Sequence, residues 1–369
     1  MRFQVIHHHP SGAARCGLVT TAHGSFETPV FMPVGTQGTV KALSPDDLRE
    51  AGVKIHLANT YHLYLRPGHD IIRKLGGLHR FINWSGPLLT DSGGFQIFSL
   101  AKLRTLTEEG AWFQSHIDGA RHFIGPAEAV AIQEALGADI IMALDECAPF
   151  PANRDYVAAS VRLTSRWARA CLEAKQGNTQ ALFGIVQGGM YPDLRERSAG
   201  DLVSMGFDGY AIGGLSVGED RDMRRRVIAQ TAPLLPKDKP VYLMGVGKPE
   251  DILDAVELGV DMFDCVLPTR NGRNGSLFTK RGPMSIKNAG HVDDDRPIDE
   301  GCKCYTCARF SRAYLRHLFM AGELLAYRLN TIHNVHYYMT LMEEIREAIG
   351  AGRFPEYRLG FESECVRME

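Results

Sequence analysis

No apolar run in this chain is long enough to cross a bilayer. Its longest, such as Ile140 to Leu144, falls far short of the roughly 20 residues a spanning helix needs. The N-terminus, Met1-Arg-Phe-Gln-Val-Ile6, has neither the apolar stretch of a signal peptide nor a small-residue cleavage site, so a cytoplasmic location is expected. An excess of one charge is missing too. The formal net charge is −2 over 369 residues, so a nucleic acid would have to be held by a local basic patch. No Gly-x-Gly-x-x-Gly follows the first strand-like run, which counts against a doubly wound dinucleotide-binding sheet. The ends of the strand-like segments carry Asp and Gln but no His pair, which counts against a metal-dependent hydrolase.

What is present begins with an ordinary soluble composition, 44% hydrophobic and 23% charged. Of eight cysteines, Cys302, Cys304 and Cys307 are clustered, while Cys16, Cys147, Cys171, Cys265 and Cys365 are scattered. That distribution points to reduced thiols with one metal site rather than to a disulfide framework. Three thiolates and one imidazole would make a closed, structural zinc site. His333 is the expected fourth ligand, with His336 and His317 as alternatives. The triplet His7-His8-His9 lies in an N-terminal hairpin expected to cap the bottom of a barrel. Adjacent strand residues point to opposite faces, so the triplet is read as solvated.

From Thr28 onward the chain repeats strand, loop, helix. Apolar strands are expected at Pro29–Val34, Ile55–Asn59, Pro87–Thr90, Asp139–Leu144, Ala181–Val186, Gly209–Ile212, Val241–Met244 and Met262–Val266. Between them fall helical signals such as Ser44-Pro45, a cap followed by proline in the first turn. Near-continuous apolar strands suit a parallel sheet covered by helices, and eight units predict a (β/α)8 TIM barrel of the α/β class. A hairpin is inserted at Thr105–Phe123. A zinc-binding subdomain precedes a final helix, Asn334–Ile349. The expected division is 1–269 for the hairpin and barrel strands, 270–333 for a basic loop and the zinc subdomain, and 334–369 for the last helix and tail. Asp91, Asp145, Gln187, Gly214 and Asp264 all fall at C-terminal strand ends, where this fold keeps its working residues.

The stretch Asp261 to Gly275 concentrates the chemistry. Asp264 sits in a short apolar strand, and beyond Pro268 a basic, Gly-rich turn carries Arg270 and Arg273. A nucleophilic carboxylate beside an anion-holding loop suits a phosphate-bearing polymer; the bland alternative is an Asp capping a surface turn. Phe95 and Met244 are read either as barrel core or as a pair that stacks a base. Lys280, Arg281 and Lys287 extend the basic run.

Taken in order, Asn59-Thr-Tyr-His-Leu63, Asp91-Ser-Gly-Gly-Phe-Gln96, Ser115-His-Ile-Asp-Gly119, Asp145-Glu-Cys147, Gln187-Gly-Gly189, Gly213-Gly-Leu215, Leu243-Met-Gly-Val-Gly247, Arg270-Asn-Gly-Arg-Asn274 and Cys302-x-Cys304-x-x-Cys307 resemble the tRNA-guanine transglycosylase family, from about Val5 onward. Cys147 is similar to the bacterial branch. The resemblance implies exchange of the wobble guanine of GUN-anticodon tRNAs for 7-aminomethyl-7-deazaguanine (preQ1). In that reading Asp264 is the nucleophile and Asp91 the general acid/base. It further implies that Asp145, Gln187 and the Gly214 N–H read the base edge, and that Cys147 and the Leu215 carbonyl face the aminomethyl arm. Phe95 and Met244 would stack the ring; Phe95 stands where some members have Tyr. Lys248, Arg270 and Arg273 would contact the anticodon loop. One structural Zn2+ per subunit and a homodimer are implied as well. A non-catalytic RNA-binding barrel is the competing reading, against which the presence of both Asp91 and Asp264 argues.

Overall fold

A computed structural model describes residues 1–10, 12–100, 104–177 and 179–366. Eight parallel strands close into a barrel in sequence order: β1 (Val30–Gly35), β2 (His56–Ala58), β3 (Leu88–Thr90), β4 (Ile140–Met142), β5 (Ala181–Val186), β6 (Gly209–Ile212), β7 (Val241–Leu243) and β8 (Met262–Cys265). The seam pairs β8 with β1, from Met262 opposite Val30 to Cys265 opposite Pro33. Both faces of every strand are covered, which is why the runs read as continuously apolar rather than alternating. Inward-facing Met32, Leu57, Leu89, Met142, Phe183 and Tyr242 fill the barrel. The expected barrel is therefore the observed one.

The N-terminal segment forms three antiparallel strands, Arg2–His8, Arg15–Thr21 and Gly24–Thr28, one more than the expected hairpin. Val19 and Phe26 join the barrel-interior cluster, so the sheet plugs the bottom of the barrel. A guanidinium fork secures it: Arg15 Nε and Nη2 donate to Asp261 at 3.0 and 2.6 Å. His7 and His8 are exposed but His9 is buried, so the solvated reading applies to only two of the triplet. Beyond β3 comes an unforeseen helix, Gly94–Leu100. The inserted hairpin is in fact a three-stranded sheet of Arg104–Leu106, Ala111–Gln114 and Arg121–Ile124.

Two expectations near the C-terminus are corrected. The stretch after β8 is a helix, Leu267–Asn274, not a turn. Pro268 occupies its first turn, where a missing N–H costs nothing, and Gly275 closes it at φ 78° in the left-handed conformation glycine favours. Gly272 is there for packing: a Cβ would lie 3.0 Å from the Cα of Thr331. The final barrel helix runs Leu324–Gly350 rather than from Asn334, so position 333/334 lies inside one continuous helix. Its first turns are disguised by polar residues that are in fact buried. Asn330 donates to Gly272 O at 3.2 Å, and Asn334 to Pro268 O and Ser276 O, both at 3.0 Å. A further helix, Phe354–Val366, follows; the side chain of Cys365 lies outside the described residues. Every described cysteine is a free thiol. Among the described residues no helix is long and apolar enough to cross a membrane.

Candidate active site and metal centre

The C-terminal mouth of the barrel holds a cavity of about 470 Å3. Asp91, Phe95, Asp145, Cys147, Gln187, Gly214, Leu215, Met244, Lys248, Asp264 and Arg270 all line it. Arg273 does not. It lies one helical turn beyond Arg270 and donates to Thr269 O at 2.8 Å, because the basic stretch is a helix and its arginines leave at different angles. Phe95 is 53% exposed at the rim, which removes the core reading for it. Met244 is half-buried and packs on the barrel interior.

Asp91 follows directly on β3 and is buried. Its carboxylate accepts from Thr60 N at 2.8 Å, Gln96 Nε2 at 2.9 Å, Gly93 N at 3.2 Å and the Asn59 side-chain amide. Burial pushes its pKa up to about 6; the bonds from Asn59 and Thr60 oppose that, and the nearby charge of Asp264 adds to it. Asp264, on β8, accepts from Tyr242 Oη at 2.6 Å and Gly245 N at 2.8 Å. Burial raises this carboxyl too, against those two bonds. The two carboxyls line one cavity, and the charge of Asp264 disfavours ionisation of Asp91, an arrangement that can divide an acid and a base role.

Asp145 follows β4, the strand paired with β3, and lines the same cavity beside the Asp91 loop. It accepts from Gln187 Nε2 at 2.7 Å and Ser92 Oγ at 3.2 Å. Burial pushes it up to about 6, opposed by the Gln187 and Ser92 bonds and reinforced by Glu146 and Asp91. Gly214 has φ 67°, a conformation that favours glycine, and a Cβ there would displace the Gln187 amide, whose Oε1 would lie 2.5 Å away. The bare backbone keeps room beside the amide. Burial pushes the Cys147 thiol up to about 12, so it faces the cavity as a neutral thiol rather than a nucleophile.

Three participants escaped the sequence reading: Asn59 and Gln96, which hold Asp91, and Tyr242, which holds Asp264. Asn59 and Gln96 stand in stretches quoted above, and Tyr242 is a lone hydroxyl in an apolar strand. Only the register of neighbouring strands gives them their roles.

The cysteine cluster forms around His333 of the helix Leu324–Gly350. His333 Nδ1 lies 3.8, 3.6 and 3.3 Å from the Sγ atoms of Cys302, Cys304 and Cys307, and the four ligand atoms lie within 4.8 Å of one another. A tetrahedral ion with bonds of about 2.0–2.3 Å has edges of about 3.3–3.8 Å. His333 Nε2 lies 2.7 Å from Phe278 O, to which it donates, leaving the Nδ1 lone pair aimed at the sulfurs. The donor set and its spacing fit a metal ion. His336 and His317 are not in the cluster; His333 is the histidine placed with the three cysteines.

Comparison with known proteins agrees with this geometry. Residues 10–365 match the family model described as queuine tRNA-ribosyltransferase. The chain is 58% identical over 354 residues to the queuine tRNA-ribosyltransferase of Solidesulfovibrio magneticus, covering 95% of each chain. It is 57% identical over 366 residues to that of an Azoarcus species, covering 99% of this chain and 98% of the relative. It is 58% identical over 362 residues to that of Caldanaerobacter subterraneus, covering 98% and 96%. With the barrel, the paired carboxylates and near-full-length identity in agreement, this chain belongs to the queuine tRNA-ribosyltransferase family.

Proposed function

We propose that this protein is a pentosyltransferase that exchanges guanine at the wobble position of GUN-anticodon tRNAs for preQ1, as a step of queuosine biosynthesis in the cytoplasm. The observation that carries the reading is the placement of Asp91 and Asp264 on one cavity at the barrel mouth, with the Asp145–Gln187 pair lining the same cavity. An Asp264 oxygen attacks C1′ of the ribose while the bond to guanine breaks, giving a covalent ribosyl-aspartyl intermediate. Asp91, protonated in a fraction of molecules near neutral pH because its pKa is pushed up to about 6, gives its proton to the departing base. The incoming base returns a proton to Asp91 and attacks C1′, releasing Asp264 as carboxylate. Protons and bonds balance over the cycle.

Asp145 accepts from the N1–H and 2-amino edge of the base. Gln187 spends one amide hydrogen on Asp145 and keeps the other for O6, which also faces the Gly214 N–H. The Leu215 carbonyl and Cys147 border the aminomethyl arm, and exposed Phe95 closes over the ring against Met244. Lys248 and Arg270, exposed at the rim, and Arg273 behind them hold the anticodon-loop backbone. Residues 270–333 thereby act as the RNA-facing unit, stapled by one structural Zn2+ on Cys302, Cys304, Cys307 and His333. Bound there, zinc supplies a cross-link, since the four protein ligands leave no position for water. The active species is a homodimer, which sedimentation of the purified protein checks.

Mass analysis of tRNA incubated with enzyme and preQ1 tests the reading; an unchanged tRNA mass sinks it. Asp264→Ala should still bind tRNA yet trap no covalent RNA adduct. An adduct surviving that change refutes the nucleophile assignment.

A further inference from the structure

The turn that carries Gln187 is held by the helix that follows it, Pro192–Met205. Near the start of that helix Arg195 folds back on the end of β5. Its Nε donates to Gly189 O at 2.9 Å and its Nη1 to Val186 O at 3.3 Å. Val186 and Gly189 stand on either side of Gln187 in the chain, so one guanidinium grips the backbone before and after that residue. One turn further along, Ser198 Oγ accepts from Gln187 N at 3.1 Å. Three hydrogen bonds therefore fix the backbone of the turn, while the Gln187 side chain spends one amide hydrogen on Asp145.

The third nitrogen of Arg195 is used differently. Nη2 is buried without a hydrogen-bond partner and lies beside Gly214, where an added Cβ would stand 3.5 Å from it. The residue as a whole is 1% exposed. The carboxylate whose charge bears on it is Glu219, but that group is committed elsewhere. Glu219 pairs with Arg224 at 2.7 Å and accepts from Ser216 N and Val217 N at 2.6 and 3.0 Å. Burial lowers the pKa of Arg195 to about 10, which leaves it a cation at neutral pH. A buried cation without its own carboxylate is costly, and this one adjoins both the Gln187 turn and Gly214. Those two residues line the cavity and Arg195 does not, so it acts on a bound base only through them.

We propose that Arg195 is a positioning residue that sets recognition of O6 of the base. The inference rests on the reading of Gln187 and the Gly214 N–H as the two O6 donors. Arg195 keeps the Gln187 turn in place, so that the amide hydrogen not given to Asp145 meets O6. Its charge, beside both donors, strengthens their pull on that oxygen. A base with a strong acceptor at position 6 gains from this arrangement, and a base with a weak one does not.

The test uses guanine, 6-thioguanine and hypoxanthine as competitors of labelled preQ1 incorporation into tRNA, with wild type, Arg195→Met and Arg195→Lys. Sulfur accepts hydrogen bonds weakly, so 6-thioguanine probes position 6. Hypoxanthine keeps O6 and lacks the 2-amino group assigned to Asp145. In the wild type guanine should outcompete 6-thioguanine. Arg195→Met should lower that preference by about tenfold, the value of one hydrogen bond, with the preference for guanine over hypoxanthine and the affinity for tRNA unchanged. Arg195→Lys, which keeps the charge but not the fork, should recover part of the loss. An equal loss in both preferences would mean a loosened site rather than O6 recognition and overturns the proposal, as does an unchanged guanine to 6-thioguanine preference in Arg195→Met. Should Arg195→Met fail to fold, Arg195→Lys decides, and a preference equal to that of the wild type refutes the assignment. A wild type that incorporates preQ1 without telling guanine from 6-thioguanine refutes this inference alone. One that incorporates nothing refutes the base-exchange reading, and the inference with it.

Discussion

Replacing Tyr242 by phenylalanine removes one oxygen atom, 2.6 Å from Asp264 Oδ1, and leaves a fully buried ring in place in the barrel interior. The Gly245 N–H, at 2.8 Å, is then the remaining donor to that oxygen. A hydrogen bond to a charged group contributes about 1.5–3 kcal/mol. Its loss falls on the ionised carboxylate alone, so Asp264, already raised by burial, is raised further. The sign follows: on the acid side of the profile fewer molecules carry the nucleophilic anion. At about 1.36 kcal/mol per tenfold, the rate there drops by about 10- to 150-fold. As pH rises and Asp264 ionises anyway, the deficit closes, because the more basic carboxylate is no worse a nucleophile. The alkaline side, set by the proton that Asp91 must hold, stays where it is.

Single-turnover incorporation of labelled guanine into tRNA between about pH 5 and 9, with wild type and Tyr242→Phe side by side, measures this. A bell narrowed from its acid side is the expected result. A deficit equal at every pH would mean that Tyr242 serves only to shape the site, and no deficit at all would mean that Asp264 is not the titrating nucleophile. Since the charge of Asp264 bears on Asp91, the displaced limb, not an isolated residue value, is the quantity to compare.

Other perturbations separate the remaining parts of the molecule. Asp145→Asn removes the acceptor of a buried charged bond worth about 1.5–3 kcal/mol, so kcat/KM for the free base should fall about 10- to 150-fold with tRNA affinity unchanged; a parallel loss of tRNA binding would contradict a base-reading role. His333→Ala should abolish metal binding at the cysteine cluster and lower the melting temperature, whereas His336→Ala and His317→Ala keep the metal; elemental analysis of the three variants distinguishes them. Arg15→Met leaves Asp261, 0% exposed, without its guanidinium, which costs about 3–5 kcal/mol for a buried pair broken on one side. Urea unfolding should show that loss, with most of it regained on adding Asp261→Asn.

How much of this could be read before folding depends on the distance over which each residue acts. Asp91, Asp145 and Asp264 announce themselves locally, as acids ending apolar runs, and the barrel follows from eight such runs. The helix Leu267–Asn274 stays hidden because Gly272 and the two asparagines around it look like a turn, while its true partner, Thr331, is distant in sequence. The residues that tune the carboxyls are hidden for the same reason. Pairing of Ala58 with Thr90 carries the chain one step further to Asn59 beside Asp91, which is why an amide at the end of β2 holds a carboxylate at the end of β3. Pairing of Tyr242 with Met262 puts the tyrosine on the inward face, and Asp264, two residues beyond Met262, shares that face. A one-residue slip of either pair would turn the supporting side chain away and leave its carboxyl without that partner. The chemistry proposed for this barrel therefore rests on register between neighbouring strands as much as on the acids themselves, and register is the property that a strand-by-strand reading of a sequence does not contain.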